Sequence, residues 1–281
     1  MVDNNTLGLI AGNGRLPFMV AAGARAAGLR VVCVGLRNSC ESTLAEHVNE
    51  FHWVSVARLG SWIRHMRAGD ANRAIMVGGV SKRKIYTPFR ILQYRPDWRT
   101  LRLWYGRLRK KDKRNDTLLT ALADELASGG IILEDSTLYC KEHMAADGCL
   151  GKTQASRAIL EDIDFGWPIV KQMGDLDIGQ SVAVKEREVI AVEAIEGTDE
   201  MIVRAGQLCR AGGWTLIKTA KPNQDKRFDV PTIGPDTIEN LKANHAAACC
   251  IEAGQTLIVD KEQTLALADK YKIAIIGHST T

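Results

Sequence analysis

Residues Leu7–Pro17 read LGLIAGNGRLP. Leu7-Gly8-Leu9-Ile10 is a short continuous apolar run, and it passes directly into Gly12-Asn13-Gly14. A buried strand that ends in glycines and opens a helix is the start of a parallel, doubly covered sheet. The helix is expected over about Pro17–Ala27, closed by Gly28. Working outward, Arg30–Gly35 (RVVCVG), Phe51–Val56 and Ala74–Val77 read as further strands, with a helix over Gly60–Ala68 between the last two. Asp116 is expected to cap a helix over Thr117–Ser128 that Gly129-Gly130 stops, and Ile131–Leu133 follows as a strand. This alternation predicts an α/β class with a Rossmann-like N-terminal domain over 1–133.

The second half has a different rhythm. Gln154–Met173 reads as a helix broken near Gly166-Trp167-Pro168. Ser181–Ile195 (SVAVKEREVIAVEAI) reads as a hairpin turning at Lys185-Glu186-Arg187. Asp199 is expected to cap a helix to about Ala211. After it come a strand over Trp214–Thr219, a helix over Asp236–Ala247, a strand over Thr256–Val259, a helix over Lys261–Lys270 and a last strand over Ile273–Ile276. A mixed α/β C-terminal domain over 152–281 follows, with 134–151 as connector and Ala145–Lys152 as the best linker.

Composition sets limits. At 281 residues, 46% hydrophobic and 25% charged, the chain is ordinary globular material with room for two domains. Met1-Val2-Asp3-Asn4 opens neither a basic nor an apolar leader, and no apolar run approaches the roughly 20 residues of a membrane span. The seven cysteines form no C-x-x-C pair, so buried reduced thiols in a cytoplasmic protein are expected rather than zinc or disulfides. The net charge of +4 hides an imbalance. Lys82–Arg114 holds thirteen Lys/Arg against two Asp, an excess of +11, interleaved with Tyr86, Phe89, Tyr94, Trp98, Trp104 and Tyr105. Such a segment suits an anionic membrane surface, nucleic acid, or a solvated face with inward aromatics. No nucleic-acid motif accompanies it.

Gly12, Asn13 and Gly14 lie where such sheets cradle phosphates, and Gly78-Gly79 ends a strand on the same edge. The dinucleotide fingerprint fails, however: its third glycine is Pro17, and Gly35-Leu36-Arg37 offers no ribose-binding acid, so nicotinamide binding is disfavoured. Lys218–Gly234 reads KTAKPNQDKRFDVPTIG, three lysines near two acids in a segment ending in a stiff turn. Glu193–Glu200 reads EAIEGTDE. Glu193, Glu196 and Asp199 are expected around one loop, enough carboxylate for Mg²⁺, although a helix cap by Thr198 or Asp199 explains the same text. Lysines that neutralise phosphate and acids that hold a cation or a water are the parts a phosphoanhydride hydrolase needs.

Together the segments LGLIAGNGRLP, VGGVSK (Val77–Lys82), NDTLLTAL (Asn115–Leu122), GDLDIGQSVAV, VIAVEAIEGTDEMI and KTAKPNQDKRFDVPTIGPDTI resemble, in order and over nearly the whole chain, the UDP-2,3-diacylglucosamine pyrophosphatases of lipid A biosynthesis, the type unrelated to calcineurin-like metallophosphoesterases. The resemblance implies Mg²⁺-assisted hydrolysis of UDP-2,3-diacylglucosamine to UMP and 2,3-diacylglucosamine 1-phosphate, with water attacking the phosphorus on the sugar side. It implies two domains with the site between them, and it places the family's essential aspartate on Asp229. Glu193, Glu196 and Asp199 join Asp229 as candidates for Mg²⁺ or the water. Lys218 and Lys221 would steady the phosphates. Gln180, Thr198, Thr232 and Asp116 are candidate substrate contacts, and Gly12, Asn13, Gly14, Gly78 and Gly79 would face the uridine or phosphate end. A lipid-linked substrate calls for an apolar cleft, and the basic segment would then serve access to the inner face of a membrane. The alternative on the same fold is a nucleotide-sugar binder without turnover.

Overall fold

The computed structural model describes residues 5–79, 96–105, 115–222 and 224–279, with the side chains of 115–117 excluded. Most of the basic segment therefore lies outside the described residues, as does the Asp116 side chain. Two compact units emerge: Met1–Cys140 together with Asp225–Asp229, and Lys141–Gln224 together with Val230–Thr281.

The N-terminal unit is built on β1 (Thr6–Ala11), β2 (Arg30–Leu36), β3 (Glu50–Val54), β4 (Arg73–Val77) and β5 (Ile132–Leu133). These form one sheet in the order β3-β2-β1-β4-β5, and each neighbouring pair is parallel. That is the order of a doubly wound sheet without its sixth strand. Ile10, Val34, Val54 and Ala74 turn to one face, where Leu59, Trp62, Ile63 and Met66 of α2 (Leu59–Ala68) and Leu126 of α4 (Asn115–Ser128) pack on them. Leu9, Cys33 and Ile75 turn the other way and are equally buried, and α1 (Leu16–Ala26) lies against β1 and β2. Burial on both faces is why these strands read as unbroken apolar runs. A short helix, α3 (Trp98–Leu103), is capped by Asp97, whose carboxylate accepts from the Thr100 N–H (3.0 Å). The helix expected to start after Asp116 already begins at Asn115, so Asp116 stands inside its first turn rather than at its cap.

The C-terminal unit holds six strands in the order β6-β13-β11-β9-β7-β8. They are β6 (Gly148–Cys149), β7 (Ser181–Lys185), β8 (Glu188–Val192), β9 (Thr215–Lys218), β11 (Ala248–Glu252) and β13 (Ala274–His278); β10 (Thr232–Ile233) and β12 (Leu257–Ile258) pair separately. β9, β11 and β13 are parallel, while β7, β8 and β6 run antiparallel to their neighbours. Alternation sorts the core. Ala183, Leu216, Cys249 and Ile275 face α6 (Thr198–Leu208), α7 (Pro235–Ala243) and α8 (Lys261–Lys270). Val182, Val184, Ile217 and Cys250 face α5 (Arg157–Asp175). The adjacent Cys249 and Cys250 thus point to opposite layers, as period-two geometry requires.

Four expectations change. The helix does not break near Pro168. A proline inside a helix costs about 3 kcal/mol, but Ile163, Trp167, Val170 and Met173 on that helix are buried against the sheet, at about 1.5–3 kcal/mol each, so burial wins. Ala145–Lys152 is no free linker: Ala145 exchanges backbone hydrogen bonds with Thr256 and Gly254, and Leu150 N–H donates to the Ile275 carbonyl. The stretch expected to end a helix at Ala247 turns at His245 (φ 61°) and becomes β11, the middle of the sheet. Finally, Gly197, not Asp199, takes the cap of α6, which ends at Leu208. The hairpin stands as read, turning through Glu186 and Arg187, both left-handed (φ 54° and 59°), the type I′ geometry that suits strand twist.

Candidate functional site

β9, β11 and β13 end at one edge of the C-terminal sheet. The antiparallel β7 starts there, with Ser181 paired to Lys218, and β8 ends there. This carboxyl edge is where ligands of α/β sheets sit, and it gathers most of the expected residues. Lys218, the last residue of β9, is only 8% exposed. Its Nζ donates to the Thr232 carbonyl (3.0 Å), and no carboxylate partners it among the described residues. Thr219 N–H donates to the Gln180 carbonyl (3.0 Å). The side-chain oxygens of Gln180 and Thr219 and the Gln224 Nε2 are buried without a partner among the described residues. Lys221 Nζ pairs with Asp177 (2.6 Å), and the Lys221 N–H donates to Gln224 Oε1 (3.1 Å). A buried ammonium and buried orphan polar atoms are costly alone; at this edge they describe a surface prepared for an anionic, hydrogen-bonding ligand.

The acidic loop does three separate jobs. Glu193 is 7% exposed and accepts from Thr198 Oγ1 (3.1 Å), which itself lies 3.3 Å from Ser181 Oγ. Glu196 is exposed and paired with Arg204. Its own backbone N–H, first, and Arg204, second, hold its carboxyl below the usual range. Asp199 is exposed in the first turn of α6, beside the helix's positive end. Among the described residues no group of three His, Cys, Asp or Glu is arranged to hold a metal ion. The expected cluster of Glu193, Glu196 and Asp199 is not gathered among the described residues: Arg204 of α6 pairs with Glu196, and Thr198 at the start of α6 donates to Glu193.

In the N-terminal unit the two glycine loops meet at the carboxyl edge of β1 and β4. Gly12 N–H donates to the Val77 carbonyl (2.8 Å), Asn13 N–H to Gly79 (2.9 Å) and Gly79 N–H back to Asn13 (3.2 Å). A Cβ on Gly12 would lie 2.6 Å from the Gly78 and Gly79 carbonyl oxygens, and one on Gly78 2.6 Å from the Asn13 carbonyl. These glycines are required by the loops' contact with each other. Gly14 differs: its φ is +91°, and no atom of the described residues lies within 4 Å of where its Cβ would be. Asn13, Gly14, Gly78 and Gly79 are exposed, and Gly12 is buried.

Asp229 is exposed and closes the Asp225–Asp229 turn, which groups with the N-terminal unit. Phe228 packs on that unit's core, and Ser136 N–H and Oγ both donate to the Lys226 carbonyl (3.0 and 2.7 Å). Asp225 accepts a forked pair from Arg227 Nε and Nη2, which together with the Arg227 N–H holds its carboxyl below the usual range. Asp229 N–H donates to the Asp225 carbonyl (3.2 Å). A single exposed carboxylate on an anchored turn fits the way Mg²⁺ is commonly held, by one or two carboxylates plus substrate phosphates. The sequence does not single out Thr219 or Glu252. Thr219 carries a weak signal, the strand-end position after Lys218; Glu252 carries none, because no strand is expected over 248–252.

The family models of the LpxI N-terminal domain and the LpxI C-terminal domain match residues 6–143 and 146–276. A UDP-2,3-diacylglucosamine pyrophosphatase LpxI of Caulobacter vibrioides is 33% identical over 278 residues, 96% of either chain. The chain belongs to the LpxI family.

Proposed function

We propose that this chain hydrolyses the pyrophosphate bond of UDP-2,3-diacylglucosamine, the substrate in the relative's name, with Mg²⁺, giving UMP and 2,3-diacylglucosamine 1-phosphate. The observation that carries the reading is Lys218: a nearly buried cation at a ligand-binding edge, without a carboxylate among the described residues. A diphosphate oxygen is the anion it lacks. Lys218 neutralises charge that would repel the incoming water, and Lys221 meets the departing phosphate after exchanging its partner Asp177. Gln180, Thr198 and Thr232 line the same edge. Mg²⁺, when bound, withdraws charge from the phosphate oxygens, and Asp229 is the carboxylate that would hold it with them. Water oxygen bonds to the sugar-side phosphorus, the bridging P–O bond breaks, and UMP leaves with that oxygen.

The lipid substrate implies work at a bilayer surface in the cytoplasm. Among the described residues no helix is long and apolar enough to cross a membrane; the +11 excess of Lys82–Arg114 is what favours peripheral contact through that basic segment. The test is direct: the pure chain with UDP-2,3-diacylglucosamine, with Mg²⁺ or EDTA, beside Asp229→Asn. UMP from the wild type with Mg²⁺ alone, at least a hundredfold more than from the variant, supports the reading. Substrate binding without UMP under any divalent cation replaces it with a nucleotide-sugar binder.

A further inference from the structure

The structure assigns a positioning role to Glu252, the last residue of β11, which fixes the strand exit carrying Lys218 and Lys221. Glu252 is 6% exposed. Its Oε2 accepts the Ala220 backbone N–H (2.9 Å), and its Oε1 accepts from Lys171 Nζ of α5 (3.0 Å). Ala220 lies midway between Thr219 and Lys221, just beyond the end of β9. Past Lys218 the β9–β11 ladder has ended, and the Ala220 N–H has no strand to donate to. Without Glu252 it is a half-buried donor with nothing to bond, and the link between Thr219, held by Gln180, and Lys221, held by Gln224 and Asp177, loses its middle anchor. Glu252 thus does for this loop what a further rung of sheet would do, and Lys171 holds its carboxylate in place.

Burial makes the choice of an acid informative. Taking a carboxylate and an ammonium out of water is costly, and an apolar pair of the same volume is often no less stable. A main-chain N–H, however, needs an acceptor at one defined point, and only a side chain ending in oxygen supplies it. The role assigned to Glu252 is exerted through Lys218 and Lys221, so the inference rests on the reading of those lysines given above. A loop displaced by about 1 Å costs on the order of a hundredfold in rate.

The experiment uses the full chain and three variants, Glu252→Ala, Glu252→Gln and Lys171→Met. Two readouts run side by side: kcat and KM for UDP-2,3-diacylglucosamine hydrolysis, and hydrogen exchange of the peptide spanning 219–222 without substrate. Glu252→Ala is expected to lose about a hundredfold in kcat/KM, mostly in kcat, and to exchange the Ala220 amide faster. Glu252→Gln keeps an acceptor oxygen and is expected within about tenfold of wild type, with protection retained. Lys171→Met is expected between the two. Glu252→Ala with faster exchange and unchanged kcat/KM overturns the proposal, as does unchanged exchange. If the alanine variant does not fold, Glu252→Gln decides: loss beyond tenfold, or loss of protection, overturns it. A wild type that hydrolyses nothing refutes the proposed function instead, and the exchange data still test the anchor.

Discussion

Replacing Gly12 by alanine tests whether the two glycine loops are held by one another. The added Cβ would stand 2.6 Å from two carbonyl oxygens, about 0.8 Å inside an ordinary 3.4 Å contact, and both are backbone atoms that cannot rotate away. The loops must part, and the Asn13–Gly79 pair of bonds and the Gly12–Val77 bond stretch with them. Overpacking of this kind costs about 1–3 kcal/mol, and each weakened hydrogen bond adds up to about 1 kcal/mol. The expected loss is about 2–4 kcal/mol. For a unit of this size that lowers the unfolding midpoint by roughly 5–15 °C. Gly14→Ala is the control: it meets no atom within 4 Å and carries only the backbone penalty of φ +91°, about 1–2 kcal/mol. Gly78→Ala combines both penalties, at φ +88° and 2.6 Å, and is expected to be the worst of the three. Urea titration with unchanged slope measures the series. Gly12→Ala within about 0.5 kcal/mol of wild type, or Gly14→Ala costing more than Gly12→Ala, refutes the reasoning.

His65 stacks on His52 at 4.1 Å between centroids, and burial, then His52 and Arg64, lower its pKa against the opposing Glu50. Its neutral form is favoured by folding, so its contribution is present above about pH 6.5 and is lost as pH falls through the lower folded value; an NMR titration should place its midpoint below 6.5, and His65→Gln should flatten that acid limb of stability. Thr198→Val removes the hydroxyl that satisfies Glu193, with an expected cost of about 1–3 kcal/mol by denaturant titration. A maleimide at neutral pH should label the exposed Cys149 rapidly and spare Cys249, whose thiol burial pushes up to about 12.

The strands of the N-terminal sheet are legible because Leu7–Ile10, Val31–Gly35 and Ala74–Val77 are largely buried on both faces and so are apolar throughout. β11 is not. Ala246-Ala247-Ala248 continues the text of a helix, and only the left-handed turn at His245, which no propensity announces, ends it. Pro168 misled in the opposite direction, because the burial that outweighs it is tertiary. At the candidate site, the ordering of Gln180, Glu193, Lys218 and Thr232 along one edge follows from the hairpin and strand assignments. What spacing could not show is competition for partners: Arg204 lies eight residues from Glu196 and claims it. Phe228, a lone aromatic inside a charged run, was the visible hint that Asp225–Asp229 has a hydrophobic anchorage of its own.

That anchorage bears on how such a chain could have been assembled from parts. The polypeptide leaves the N-terminal unit after Cys140, returns for Asp225–Asp229 and leaves again. An N-terminal fragment ending at Cys140 would lack Phe228 and would leave Ser136 without the Lys226 carbonyl, so it is not a finished module. A C-terminal fragment would carry those five residues with no core to receive them. Shuffling at Cys140/Lys141 by recombination would therefore part Phe228 from the core that receives it, so the two stretches of chain are expected to be inherited together.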